Sequence, residues 1–123
     1  MNDFKLIYEN SNLITTDYVT NVHKEHLDWL TTELKQNVPT IVITHHLPSK
    51  LLSHDKYRPY DYMSSAFWSD LEYLQNDNIL YWICGHTHTY MNLNINKSVY
   101  LANPFGNEIE CKEKELQEII IKN

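Results

Sequence analysis

Ile79-Leu80-Tyr81-Trp82-Ile83-Cys84-Gly85-His86-Thr87-His88 is the stretch on which the reading of this chain turns. The apolar run Ile79 to Ile83, preceded by the breaker Asn76-Asp77-Asn78, fits a short strand buried on both faces. It leads directly into Gly85-His86-Thr87-His88. Upstream lies a segment of the same build. Thr40-Ile41-Val42-Ile43-Thr44 is continuous and β-branched, reads as a second strand buried on both faces, and runs straight into His45-His46-Leu47-Pro48. In α/β sheets, sites form in the crevice at the carboxyl ends of strands, so two strands that end in histidines can deliver them to one place. His86 and His88 are two apart, and on an extended backbone both imidazoles point to the same side. Gly85 lets the chain turn sharply or approach another backbone closely. Neutral imidazole suits zinc, manganese or iron, and three histidines alone can hold one catalytic zinc with a water position open.

Working outward, Thr20 to Gln36 reads as an amphipathic helix, with Val22, Leu27, Leu30 and Leu34 recurring near the helical period and Trp29 beside the stripe. Thr16 or Asp17 is positioned to cap it, and Asn37 and Pro39 end it. Residues 1–16 offer only two short apolar patches and no convincing element. Ser49 to Ser65 has no period and reads as a long loop. Ala66 to Gln75 reads as a second short helix, with Phe67, Leu71 and Leu74 on one face. Tyr90 to Ile95 and Ser98 to Ala102 alternate around an Asn96-Lys97 turn, the pattern of a hairpin. Asn103 to Asn107 is a turn cluster. The charged run Glu108 to Gln117 reads as exposed, and Glu118 to Ile121 as a closing strand. Helix, strand, helix, strand and then antiparallel strands make an α/β arrangement, or half of one.

Composition narrows the function classes. The 123 residues allow one domain, 1–123, and 42% hydrophobic with 21% charged residues argues against disorder. A net charge of −6 leaves no basic surplus to neutralise phosphates, so general nucleic-acid binding is not expected. No run is long enough to span a membrane, and Met1 to Asn10 lacks a signal peptide's apolar core. Cys84 and Cys111 make no disulfide framework, and a reduced cytoplasmic setting is the expectation. Cys84, at the end of a buried strand, reads as a packed, inert thiol. Four of the seven histidines fall in the two groups after the strands. His23 and His26 read as helix-surface or packing residues, and His54 as a solvated loop residue.

Thr44-His45-His46-Leu47-Pro48-Ser49, followed by Gly85-His86-Thr87-His88, resembles the last two motifs of the calcineurin-like metallophosphoesterases. Ala66-Phe67-Trp68-Ser69-Asp70-Leu71, Asn103-Pro104-x-Gly106 and Trp29-Leu30 fit the same pattern, so the resemblance runs from about Asp17 to Ile121. It departs from the family in one respect. The three earlier motifs, an Asp-x-His, a Gly-Asp and a Gly-Asn-His followed by an acid, have no counterpart. Gly106-Asn107-Glu108 lacks the histidine and reads as a turn. The resemblance therefore implies the C-terminal half of a metallophosphoesterase-type β-sandwich flanked by helices.

It further implies that His45 and His86 bind one metal and His88 another. His46 would face the second shell or the substrate. The cofactor would be divalent metal ions such as Mn, Fe or Zn, two in a complete domain, and the substrate a phosphate mono- or diester. Arg58 can contact a phosphate as a planar fork, although an ordinary solvated loop is the stronger reading of that stretch. Three neutral imidazoles replace no bridging carboxylate. The chain alone is thus expected to bind one metal weakly or none, and to hydrolyse phosphate esters slowly or not at all. A separate N-terminal half, or self-association through uncovered sheet surfaces, is the expected partner. Two other readings stay open: a degenerate, non-catalytic binding protein, and a mononuclear zinc protein using His45, His86 and His88.

Overall fold

The architecture is that of a computed structural model, which describes residues 3–53, 65–104, 106 and 118. The chain divides into two compact units, residues 1–37 and 38–123.

In the first unit, a short helix α1 (Asp3–Leu6) precedes a two-residue hairpin, β1 (Tyr8–Glu9) and β2 (Asn12–Leu13). Asn10 and Ser11 turn it with φ of 47° and 69°. Two successive positive angles match the twist of a tight hairpin. This element was not legible as apolar pattern, because its strand residues are all exposed. Helix α2 runs Thr16–Glu33 and starts four residues before Thr20, the start expected from the sequence. The cap is Thr15, not Thr16 or Asp17: its extended backbone lets Oγ1 accept from the Tyr18 N–H at 3.1 Å. Asp17 instead sits in the first turn, where its charge meets the positive end of the helix dipole.

The second unit is built on a four-stranded sheet of order β3-β4-β6-β5, formed by Thr40–Ile43, Ile79–Cys84, Ser98–Ala102 and Met91–Ile95 respectively. Strands β3, β4 and β6 are parallel neighbours, and β5 pairs antiparallel with β6. The β5–β6 hairpin turns at Asn96-Lys97 as the alternation predicts, with Asn96 at φ 55°. Trp82 on the central strand is fully buried, and it stacks on its cross-strand neighbour Tyr100 with centroids 5.9 Å apart. Val42, Leu47, Leu52, Leu71, Leu74 and Ile79 complete this core.

Two expectations are corrected here. Strand β3 is not buried on both faces. Val42 points into the core, but Ile41 and Ile43, on the opposite face by strand alternation, are 42% and 74% exposed. Residues 66–75 are not a helix. The Phe67 carbonyl accepts from the Leu47 N–H (3.1 Å), the Ser69 N–H donates to the Leu47 carbonyl (3.0 Å), and the Leu71 N–H donates to the Pro48 carbonyl (3.0 Å). Those long-range bonds occupy groups that an α-helix would use locally. Among the described residues, 3₁₀ geometry remains at Ser65-Ala66 and in the turn Glu72–Leu74. Leu71 and Leu74 are still buried, as the helical reading required.

Residues 49–53, assigned by sequence to a loop, are partly ordered as a 3₁₀ turn, Lys50–Leu52. Ser49 is buried, and its Oγ accepts from the Leu51 N–H at 3.0 Å and donates to the Glu72 carboxylate at 2.5 Å. Residues 54–64 of that loop, with His54 and Arg58, lie outside the described residues, as does the expected closing strand Glu118 to Ile121 except for Glu118 itself, which is exposed and in no strand.

Candidate functional site

Register brings the two histidine groups together. Ile43 is level with Ile83 across the β3–β4 pair, and the ladder continues past both strands. Thr44 N–H donates to the Ile83 carbonyl at 3.0 Å, and Gly85 N–H donates to the His45 carbonyl at 3.0 Å. His45 and His86 thus leave the sheet side by side. His45 Nε2 lies 3.1 Å from His86 Nδ1. The His46 ring completes a group of three, with centroids 5.2 Å from His45 and 4.5 Å from His86.

The tautomer of His86 follows from its other nitrogen. Nε2 sits 2.8 Å from the Ala66 carbonyl oxygen, which can only accept. Nε2 therefore carries the proton, and in the neutral ring Nδ1 presents a lone pair towards His45.

The turn after β3 is tied to the core. The buried Trp82 Nε1–H donates to Thr44 Oγ1 at 3.0 Å, and that hydroxyl donates to the His46 carbonyl at 2.8 Å. Sequence inspection missed Thr44, Trp82 and Ala66 as contributors. A Thr immediately before His45-His46 is the one signal that was present, since such hydroxyls commonly bond to nearby backbone. Nothing in the sequence marks a carbonyl at residue 66.

The argument that His86 and His88 share a side does not hold. The strand ends at Cys84, and both histidines adopt left-handed backbone, φ 69° and 51°. The extended geometry on which the two-residue period depends is therefore lost. Such conformations are strained for a residue with a Cβ, by on the order of 1–2 kcal/mol, and cluster at functional sites. His88 is exposed. Between the two, Thr87 is buried, and its Oγ1 finds no hydrogen-bond partner among the described residues. Gly85 is not the steric necessity that its position suggests, because among the described residues a Cβ there would meet only the His45 carbonyl oxygen at 3.8 Å, an ordinary contact. Cys84 is buried, and burial pushes its thiol up to about 11, so it stays protonated and inert near neutrality.

Two nitrogens bound to one ion at 2.0–2.1 Å are about 3.3 Å apart at a tetrahedral angle and about 2.9 Å apart at a right angle. The 3.1 Å between His45 Nε2 and His86 Nδ1 lies between these values. This pair fits a shared divalent ion. Among the described residues, however, no group of three or more His, Cys, Asp or Glu side chains is arranged to hold one. No described helix is long and apolar enough to cross a membrane.

Comparison with known proteins adds an independent line. The family model described as calcineurin-like phosphoesterase matches residues 2–90, a span that includes both histidine groups and ends before the β5–β6 hairpin. A protein of Acanthamoeba polyphaga mimivirus, named only as uncharacterised, is 31% identical over 118 residues, covering 86% of this chain. The chain spans 42% of the length of that relative. No solved structure matches.

Proposed function

The chain belongs to the calcineurin-like phosphoesterase family, and from that premise we propose that it forms the histidine-bearing part of a metal-dependent phosphoesterase. The observation that carries this reading is the His45–His86 pair, with His86 Nδ1 turned to His45 and its Nε2 held by a backbone carbonyl. A metal-ligating histidine usually donates its other N–H in this way. His45 Nε2 and His86 Nδ1, 3.1 Å apart, would hold one divalent ion. His88 would serve a second ion once further donors are present. A bound divalent ion supplies a water of lowered pKa and a Lewis acid for phosphoryl oxygens.

The chain's own residues do the positioning. The Ala66 carbonyl fixes the His86 ring. Thr44, braced by Trp82, holds the carbonyl of His46 and so the turn that aims His45. His46, beside His86, would face the phosphate ester, and Arg58, outside the described residues, would be a further phosphate contact. A carboxylate that draws two ions together must come from sequence other than these motifs, either in the same polypeptide or in a partner. The exposed Ile41 and Ile43 on edge strand β3 favour association of that kind. The mononuclear reading with His45, His86 and His88 draws no support from the exposed, left-handed His88.

The test is zinc or manganese titration by calorimetry, alongside hydrolysis of p-nitrophenyl phosphate and its bis ester. We expect weak binding of one ion, abolished by His86→Ala, and hydrolysis near background for the chain alone. Binding indifferent to His86→Ala, or hydrolysis that persists in a chelator, would overturn the proposal.

A further inference from the structure

We infer that segment Ser65–Ser69 is a positioning element for the metal-binding pair, acting through the Ala66 main-chain carbonyl on the tautomer of His86. The inference rests on the reading of His45 and His86 given above. Three separate stretches meet here, and each is bonded to the other two. Gly85 N–H to the His45 carbonyl joins the ends of β4 and β3 at 3.0 Å. The two bonds between Leu47 and residues 67 and 69 join the end of β3 to the segment, at 3.1 and 3.0 Å. The bond from His86 Nε2 to the Ala66 carbonyl, 2.8 Å, joins the segment to the end of β4. The triangle is closed by main-chain groups, apart from the one imidazole that it orients.

The chemistry of that third side is specific. A carbonyl oxygen accepts and cannot donate, so it selects the Nε2–H tautomer. In isolated neutral histidine both tautomers are available. Here the unprotonated nitrogen is the one 3.1 Å from His45 Nε2. The Phe67 ring packs on the same imidazole, with centroids 5.3 Å apart, and restricts its rotation. The segment thus settles which nitrogen is unprotonated before any ion arrives.

The conformation of Ala66 gives a handle on a group that side-chain substitution cannot remove. Ala66 lies in a 3₁₀ turn. A proline after it disfavours that region and drives it to extended backbone, which swings the carbonyl away. Phe67→Pro therefore removes the acceptor. Phe67→Leu keeps the backbone and an apolar contact and serves as control.

The first readout is the tautomer of His86 in the metal-free protein, by long-range ¹H–¹⁵N correlation at about pH 8, where ordinary imidazole is neutral. We expect the Nε2–H form in the parent chain and in Phe67→Leu, and a mixture in Phe67→Pro. The second is zinc affinity by calorimetry. It should fall about 10–100-fold in Phe67→Pro, the usual effect of losing such a partner, and change little in Phe67→Leu. An Nδ1–H form in the parent chain overturns the inference. So does a folded Phe67→Pro that keeps its zinc affinity, or a Phe67→Leu that loses as much. Should Phe67→Pro fail to fold, the parent spectrum decides alone. The tautomer is read without metal: an Nδ1–H form removes the positioning role while zinc binding abolished by His86→Ala still supports the phosphoesterase reading, and absent zinc binding with an Nε2–H form does the reverse.

Discussion

Thr44→Val isolates the link between the core and the histidine turn. Valine matches threonine in shape, so the change removes one hydroxyl and little volume. That hydroxyl accepts from Trp82 Nε1 and donates to the His46 carbonyl. The two losses are unequal. His46 is exposed, and water can replace the bond to its carbonyl at small cost. Trp82 has no exposed surface, so its indole N–H is stranded away from water. Leaving a buried donor unsatisfied costs about 1–3 kcal/mol, which places the expected loss of stability near ~2 kcal/mol. Trp82→Phe removes the donor and also shrinks the core, so alone it destabilises through volume as well as through the bond. In the double variant the valine no longer strands anything, and its added effect should fall to about 0.5 kcal/mol. The coupling energy in the double-mutant cycle is then about 1.5 kcal/mol. Urea denaturation followed by far-ultraviolet circular dichroism measures all four forms. A Thr44→Val loss below about 0.5 kcal/mol, or additive single effects, would refute the argument that Trp82 holds the turn through Thr44.

Two further outcomes follow from the same geometry. Gly85→Ala should be tolerated in spite of its place in the histidine motif, because the added Cβ meets only an ordinary contact; a gain of about 0.4–1 kcal/mol in urea denaturation is expected, and a loss above about 1 kcal/mol would contradict it. Alkaline pH should weaken the fold. The Cys84 thiol is raised by burial from the ordinary 9.0 to about 11, so the unfolded chain gives up its proton first, and stability present below pH 9 drains away as pH rises through about 11. Tyr100, raised first by burial and then by Glu72 and Cys84, acts in the same direction. Urea midpoints at rising pH should fall, and Cys84→Ser should flatten part of that fall; an unchanged profile in the variant would remove Cys84 from the account.

The elements that the sequence by itself determined are those whose signal is local. Strands β3 and β4, the β5–β6 hairpin and the body of α2 each follow from the period and type of their own side chains, and the family resemblance rests on motifs read in place. The placement of both histidine groups at strand ends is likewise local. What only the tertiary structure decided depends on groups far apart in the chain. Residues 66–75 carry a helical pattern, yet Leu47 and Pro48 claim their backbone bonds, and a β-bridge replaces the helix. Ile41 and Ile43 read as buried, yet they lie on the strand face opposite Val42, which is exposed. His86 and His88 look equivalent in sequence. Strand register sets His86 against His45, and left-handed backbone at both positions removes the alternation that would have paired the two rings. Which nitrogen of His86 is protonated was fixed by a carbonyl 20 residues away, because a ring tautomer answers to whatever acceptor the fold brings to it and not to its neighbours in the chain.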